Sequence, residues 1–103
     1  MPPIDEARVR REALRWLILL TLNNARPIGA YEGPILAVAQ SEYPDATPLE
    51  LRRELDYLSA RELIALHKEP GGKWFADLTR HGTDIAEYTV DCEPGIARPK
   101  KYW

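Results

Sequence analysis

The chain has 103 residues, 45% hydrophobic and 29% charged, with a net charge of −2 at pH 7 and a single cysteine. That length holds one hydrophobic core, and the negative balance argues against strong non-specific nucleic-acid binding, which draws on a basic face. Cys92 alone excludes an internal disulfide and fits a reducing compartment, and no apolar run approaches the roughly 20 residues that cross a bilayer.

A first helix is predicted over Glu6 to Asn24, capped by Asp5 and stopped by Pro27. Its first half carries Val9, Ala13, Trp16, Leu17 and Leu20 as a stripe at helical spacing. Its second half, WLILLTL, is apolar on nearly every side and must be enclosed on several of them. Two ways of enclosing it stay open. A hairpin, a fourth helix and the C-terminal tail would cover it within one chain, or Trp16, Leu19 and Leu20 would form a homodimer interface.

Pro27 to Ala30 is a short extended link or edge strand, and Gly33-Pro34 starts a second helix that Pro44 ends. Thr47-Pro48-Leu49-Glu50 fits a capping box: Thr47 caps, Pro48 takes the first helical position, and Glu50 reaches back to the Thr47 N–H. Leu51, Leu55 and Leu58 give the third helix an apolar stripe. Leu63 to Leu66 and Trp74 to Leu78 are predicted strands joined by a Pro70-Gly71-Gly72 turn. Of the neighbouring rings of Trp74 and Phe75, one faces the core and the other outward. Thr79 caps a fourth helix, about Arg80 to Tyr88, and the tail VDCEPGIARPKKYW is irregular, packing on its own domain or on a neighbour. The expected fold class is α+β, mainly α. It is a winged helix-turn-helix with three core helices, a two- to three-stranded wing, a fourth helix and the tail. Residues 1–88 form the domain and 89–103 the tail.

The run from Thr47 to Gly82 resembles the winged-helix regulators of the MarR, PadR and ArsR kind, through its Leu-rich third helix, Leu-Ile strand, Gly-rich wing and Leu78-Thr79-x-x-Gly82 turn. It departs from them at Glu62, where such proteins usually place a Gly to end the third helix. A left-handed Glu there costs about 1 kcal/mol relative to Gly, or the helix ends differently. The tail from Val90 to Pro99, with the closing Lys101-Tyr102-Trp103, looks like that of small winged-helix proteins of Mu-like phages and prophages. The resemblance implies a phage-encoded protein of the bacterial cytoplasm, either a DNA-binding regulator of transcription or a module that docks a phage protein partner.

The charges are unevenly spread. Asp5 to Arg26 carries five Arg against three acids, whereas Tyr31 to Leu66 carries three Arg against seven acids. With the leucine stripe inward, the third helix turns Leu49, Arg53, Asp56, Tyr57 and Ala60 outward, with Glu50 beside them. In contact with double-stranded DNA, Arg53 would reach guanine edges or phosphate and Tyr57 the backbone. Thr47 with the helix N-terminus, and Arg52 on the flank, would bind phosphate, and the wing would add His67, Lys68 and Lys73. Glu50 and Asp56 on the same face oppose this. The basic first helix, with Arg8, Arg11 and Arg15 on one face, would supplement the phosphate contacts, pair with the acidic segment of a partner subunit, or stay solvated. Nothing suggests an enzyme: His67 and His81 lack metal-type spacing, Cys92 forms no zinc motif, and no nucleophile or phosphate-loop signature occurs, so neither a cofactor nor a metal is expected.

Overall fold

Helix α1 spans Glu6–Asn24 and begins where Asp5 accepts a hydrogen bond from the Arg8 amide at 3.1 Å. A computed structural model describes residues 3–101 of the chain. After α1 come β1 (Ala30–Tyr31), α2 (Glu32–Glu42), α3 (Pro48–Ala60), β2 (Ile64–Lys68), β3 (Trp74–Leu78) and α4 (Arg80–Ala86). The architecture is α+β, with four helices and one three-stranded antiparallel sheet of order β1-β3-β2 among the described residues. Pairing runs Ile64 to Leu78 and Lys68 to Trp74 in the hairpin, and Ala30 to Ala76 on the other edge. At the hairpin tip Gly72 takes φ +91°, which closes a short loop after Pro70 and Gly71.

The core gathers one stripe from each element: Ile18, Leu19 and Leu22 of α1, Leu51, Leu55 and Leu58 of α3, and Ile35, Ile64 and Ile85 from α2, β2 and α4. Within the apolar half of α1, Ile18, Leu19 and Leu22 are thus enclosed by their own chain. Leu19 is 0% exposed within this core, so its expected place in a dimer interface is corrected: no partner reaches it without opening the fold. Trp16 is half-buried with its ring edge-on to Tyr88 at 6.0 Å, and Leu20 stays 37% exposed. The described part of the tail, residues 89–101, packs on its own domain, while Tyr102 and Trp103 lie outside the described residues. Ile96 is buried, Ala97 donates to the Glu12 carbonyl at 3.1 Å, and Arg98 donates to the Ile85 and Val90 carbonyls at the end of α4.

Two helix ends carry a side chain where glycine is favoured. Glu62 and Tyr88 both take φ +62°. After α3, Glu62 N–H donates to Ser59 O and Leu63 N–H to Leu58 O, each at 3.0 Å, so the last carbonyls are satisfied despite the strained residue. α4 ends in the same way, with Tyr88 donating to Ile85 and Thr89 to Asp84, and therefore stops at Ala86, short of the expected Tyr88. α2 starts earlier than expected, at Glu32, with Pro34 inside its first turn, where a missing N–H leaves no helical bond unmade.

The Thr79 hydroxyl joins three elements. It donates to the Glu62 carbonyl at 2.7 Å and accepts from the Gly82 amide at 3.1 Å. Gly82 is needed because α4 lies against the link between α3 and β2: a Cβ there would sit 2.0 Å from the Leu63 carbonyl oxygen. Gly82→Ala is therefore expected to destabilise the protein by about 3 kcal/mol, the upper range for overpacking, read by urea unfolding. Glu62→Gly, which relieves a left-handed side chain, should move the midpoint the opposite way, by up to about 1 kcal/mol.

Candidate nucleic-acid interface

At about 100° per residue α3 divides into four lengthwise strips. Leu51, Leu55 and Leu58 face the core. Arg52 and Asp56 face the hairpin, through Gly72 and Lys68. Glu50, Glu54 and Tyr57 face α1, through Arg10 and Arg15. Leu49, Arg53 and Ala60 are left outward, and all three are exposed.

Along the hairpin edge, Arg52 is a brace. Its guanidinium forks onto Glu32 at 2.7 and 2.6 Å, donates to the Gly72 carbonyl at 2.7 Å, and lies 4.5 Å over the Trp74 ring. The expected phosphate contact by Arg52 is corrected accordingly, because its charge is matched by Glu32 and three of its five N–H donors already fix α2, α3 and the hairpin to one another. The same bonds hold the Glu32 carboxyl below the usual carboxylate range, with Arg52 the chief cause. Further along, Lys68 sits 3.1 Å from Asp56 and 4.3 Å over Trp74, but both charged side chains remain half exposed.

The α1 edge is a seam of ion pairs. Thr47 caps α3 as expected, accepting from the Glu50 amide at 3.2 Å. Glu50 does not complete the capping box. Its carboxylate takes a fork from Arg10 at 2.7 and 2.8 Å, and Arg10 also reaches Asp45 at 2.9 Å. These bonds, that to Glu50 foremost, raise the Arg10 pKa further above its ordinary value. Deeper in the seam, Arg15 meets Glu54 at 2.7 Å, with side chains only 12% and 5% exposed. Tyr57 is stacked 3.5 Å from the Arg15 guanidinium and 4.9 Å from that of Arg61, and it packs against Gly95. The expected backbone contact by Tyr57 is therefore corrected too: the ring is a half-buried spacer between α1, α3 and the tail.

The basic first helix and the acidic third thus neutralise each other within one chain. Among the described residues, the side chains of Arg53 and Lys73 take no ion pair or hydrogen bond. Both are exposed. Of the residues expected to face DNA, Thr47, Arg53, Lys68 and Lys73 stay accessible on α3 and the hairpin, while Arg52 and Tyr57 are built into their supports. Sequence reasoning missed Glu32 and Trp74 as partners of Arg52, and no local spacing signals them, because they lie 20 or more residues away. Among the described residues no group of His, Cys, Asp and Glu is placed to hold a metal ion, and no helix is long and apolar enough to cross a membrane.

Comparison with known proteins finds no matching family model, no matching curated protein and no matching solved structure.

The brace makes stability depend on pH in a defined direction. Because the folded protein holds Glu32 ionised to lower pH than the unfolded chain does, its contribution is full above the usual carboxylate pKa and disappears as pH falls through the lower folded value. Glu32→Gln should lower the unfolding free energy at pH 7 and lessen its decline below about pH 4.5, as followed by urea titrations across that range.

Proposed function

We propose that the protein is a winged helix-turn-helix that binds duplex DNA, with α3 in the major groove and the β2–β3 hairpin as the wing beside it. The order helix, helix, helix, hairpin supports this, as does β1 closing onto the hairpin's inner strand. The observation that carries the reading is the disposal of charge. Glu50 and Asp56, the acids that oppose phosphate on this side of α3, are matched by Arg10 and Lys68. Arg53 and Lys73 are left unmatched, one on the helix and the other on the hairpin.

In this arrangement Arg53 reads a guanine edge or grips phosphate, and Lys73 holds the backbone beside the wing. Thr47 presents the first turn of α3 to a second phosphate. The likeness of the tail to those of Mu-like phage proteins supports a phage or prophage origin and action in the bacterial cytoplasm, and the reading as a transcriptional regulator rests on the DNA contact alone. Exposed Leu20 and half-buried Trp16 line a shallow, mainly apolar concavity with Ala13, Leu17, Tyr43 and Glu42, which supports a homodimer through the outer face of α1 rather than through Leu19.

One observation favours docking of a protein instead. Leu49 is 61% exposed at the N-terminal end of the outward strip, beside a largely apolar concavity lined by Leu36, Pro48 and Leu51 together with Glu32 and Gly33. That surface suits an apolar anchor from a phage protein partner.

Fluorescence anisotropy with duplex DNA, from about 50 to 200 mM salt, decides between the two. Binding that weakens steeply with salt is expected, and Arg53→Gln should cost about 1–3 kcal/mol if Arg53 reads a base. No binding at the lowest salt would overturn the DNA reading. Capture of a phage protein that Leu49→Asp abolishes would then establish the second.

A further inference from the structure

A helix lying in a major groove has a sugar-phosphate strand along each of its edges, about 12 Å apart. On the proposed DNA reading, the hairpin serves one edge of α3 with Lys73. The opposite edge is the seam with α1. There Ala7, Arg10, Arg11, Glu50, Arg53 and Glu54 line one open concavity.

Both carboxylates in that concavity are already engaged. Glu50 holds the Arg10 fork and Glu54 is bonded to Arg15. Arg11 and Arg53 have no such partner among the described residues, and both are exposed. Arg8, the neighbouring cation on α1, differs, because it is paired with Glu12 at 2.9 Å within its own helix.

We propose that Arg11 and Arg53 together form a second phosphate site, one that grips the DNA strand on the edge of α3 opposite the hairpin. This rests on the DNA reading. The chemistry fits a phosphodiester. Two planar guanidinium forks come from two helices into one recess, and each fork is suited to pairs of anionic oxygens. The seam beneath them is braced, because Arg10 and Arg15 bolt α1 to α3, so little backbone order remains to be gained on binding and the cost left is that of ordering the two arginine side chains. A strand held there would place α3 between two backbone contacts and fix its depth in the groove.

Salt dependence of binding tests it. A phosphate contact contributes about 0.9 to the slope of log affinity against log salt. Arg11→Gln should remove about that much, so that the ratio of wild-type to variant affinity changes roughly 3.5-fold between about 50 and 200 mM salt. Preference among duplex sequences should stay as in the wild type, since phosphate carries no sequence information. Arg80→Gln makes the same charge change in a different concavity, beside Arg26 and Thr83, and should leave the slope unaltered. Lys73→Gln should give its own loss on the other edge, additive with that of Arg11→Gln. Thermal melting of Arg11→Gln should match the wild type, because no ion pair is removed.

An unchanged slope for Arg11→Gln, or an equal fall for Arg80→Gln, would overturn the second site. If Arg53→Gln and Lys73→Gln weaken binding in the same series, the DNA reading stands without it. If the wild type binds no duplex at low salt, both are wrong.

Discussion

Arg15 is the joint on which the rest of the molecule is set. From the middle of α1 its guanidinium reaches Glu54 at 2.7 Å, the Gly95 carbonyl at 3.0 Å and the face of Tyr57 at 3.5 Å. It thereby ties α1, α3 and the tail at one point, with only 12% of the side chain exposed. A pair so deeply buried adds little net stability, because desolvation cancels most of the Coulombic gain. Its effect is on register. Sliding α1 by one turn along α3 would leave a buried carboxylate and a buried guanidinium without partners, at several kcal/mol. Leucines on both helices tolerate such slippage far better than this pair does. The register fixed by Arg15 then brings Arg10 to Glu50 and Asp45, nearer the helix N-termini.

From that register follows the way α3 faces the solvent. Its α1 edge is occupied by Arg10 and Arg15, and its hairpin edge by the Arg52–Glu32 fork and the Asp56–Lys68 pair. Neither edge leaves a carboxylate on α3 without a cation. Arg52 also keeps the hairpin from pivoting, since it holds the tip carbonyl of Gly72 and lies over Trp74 while gripping Glu32 on α2. α3 and the hairpin therefore present one rigid surface. On the proposed function this preorganisation matters more than the number of cations, because little order has to be acquired when the surface meets a partner.

The elements governed by short-range rules were legible in the sequence. Asp5, Thr47 and Thr79 each cap the helix they were expected to cap, since the bond spans only three residues. The left-handed Glu62 was visible as a missing glycine, and Gly82 as part of a strand-to-helix turn. The candidate site was legible only in part. Arg53 could be placed outward from helical period, Thr47 from its capping position, and Lys68 and Lys73 from flanking the Pro70-Gly71-Gly72 turn. Glu50 shows where that approach fails. A local rule offered it the Thr47 amide, one neutral donor, while the fold offered a guanidinium 40 residues away with two charge-assisted bonds. The stronger interaction was the one that sequence proximity could not reveal. Arg52 and Tyr57 were misread for the same reason, because a helical wheel gives direction but not what lies in that direction.

The net charge of −2 was the main objection to a DNA-binding surface, and the structure changes what it weighs. Charges on a protein in physiological salt are screened over about 8 Å, so a phosphate at contact distance responds to its immediate neighbours rather than to the molecular total. The acids of Tyr31 to Leu66 count in full toward the total, yet Glu32, Asp45, Glu50, Glu54 and Asp56 each lie within 3.1 Å of a cation of the same chain. At close range such pairs act as dipoles whose fields fall off faster than those of single charges. Arg11, Arg53 and Lys73 lack such a partner among the described residues. On the proposed function, a chain acidic overall can therefore still present unpaired cations to a phosphate strand, with long-range attraction sacrificed. Such a protein would associate slowly, without the steering a basic surface provides, and would owe its hold to short-range contacts made after encounter.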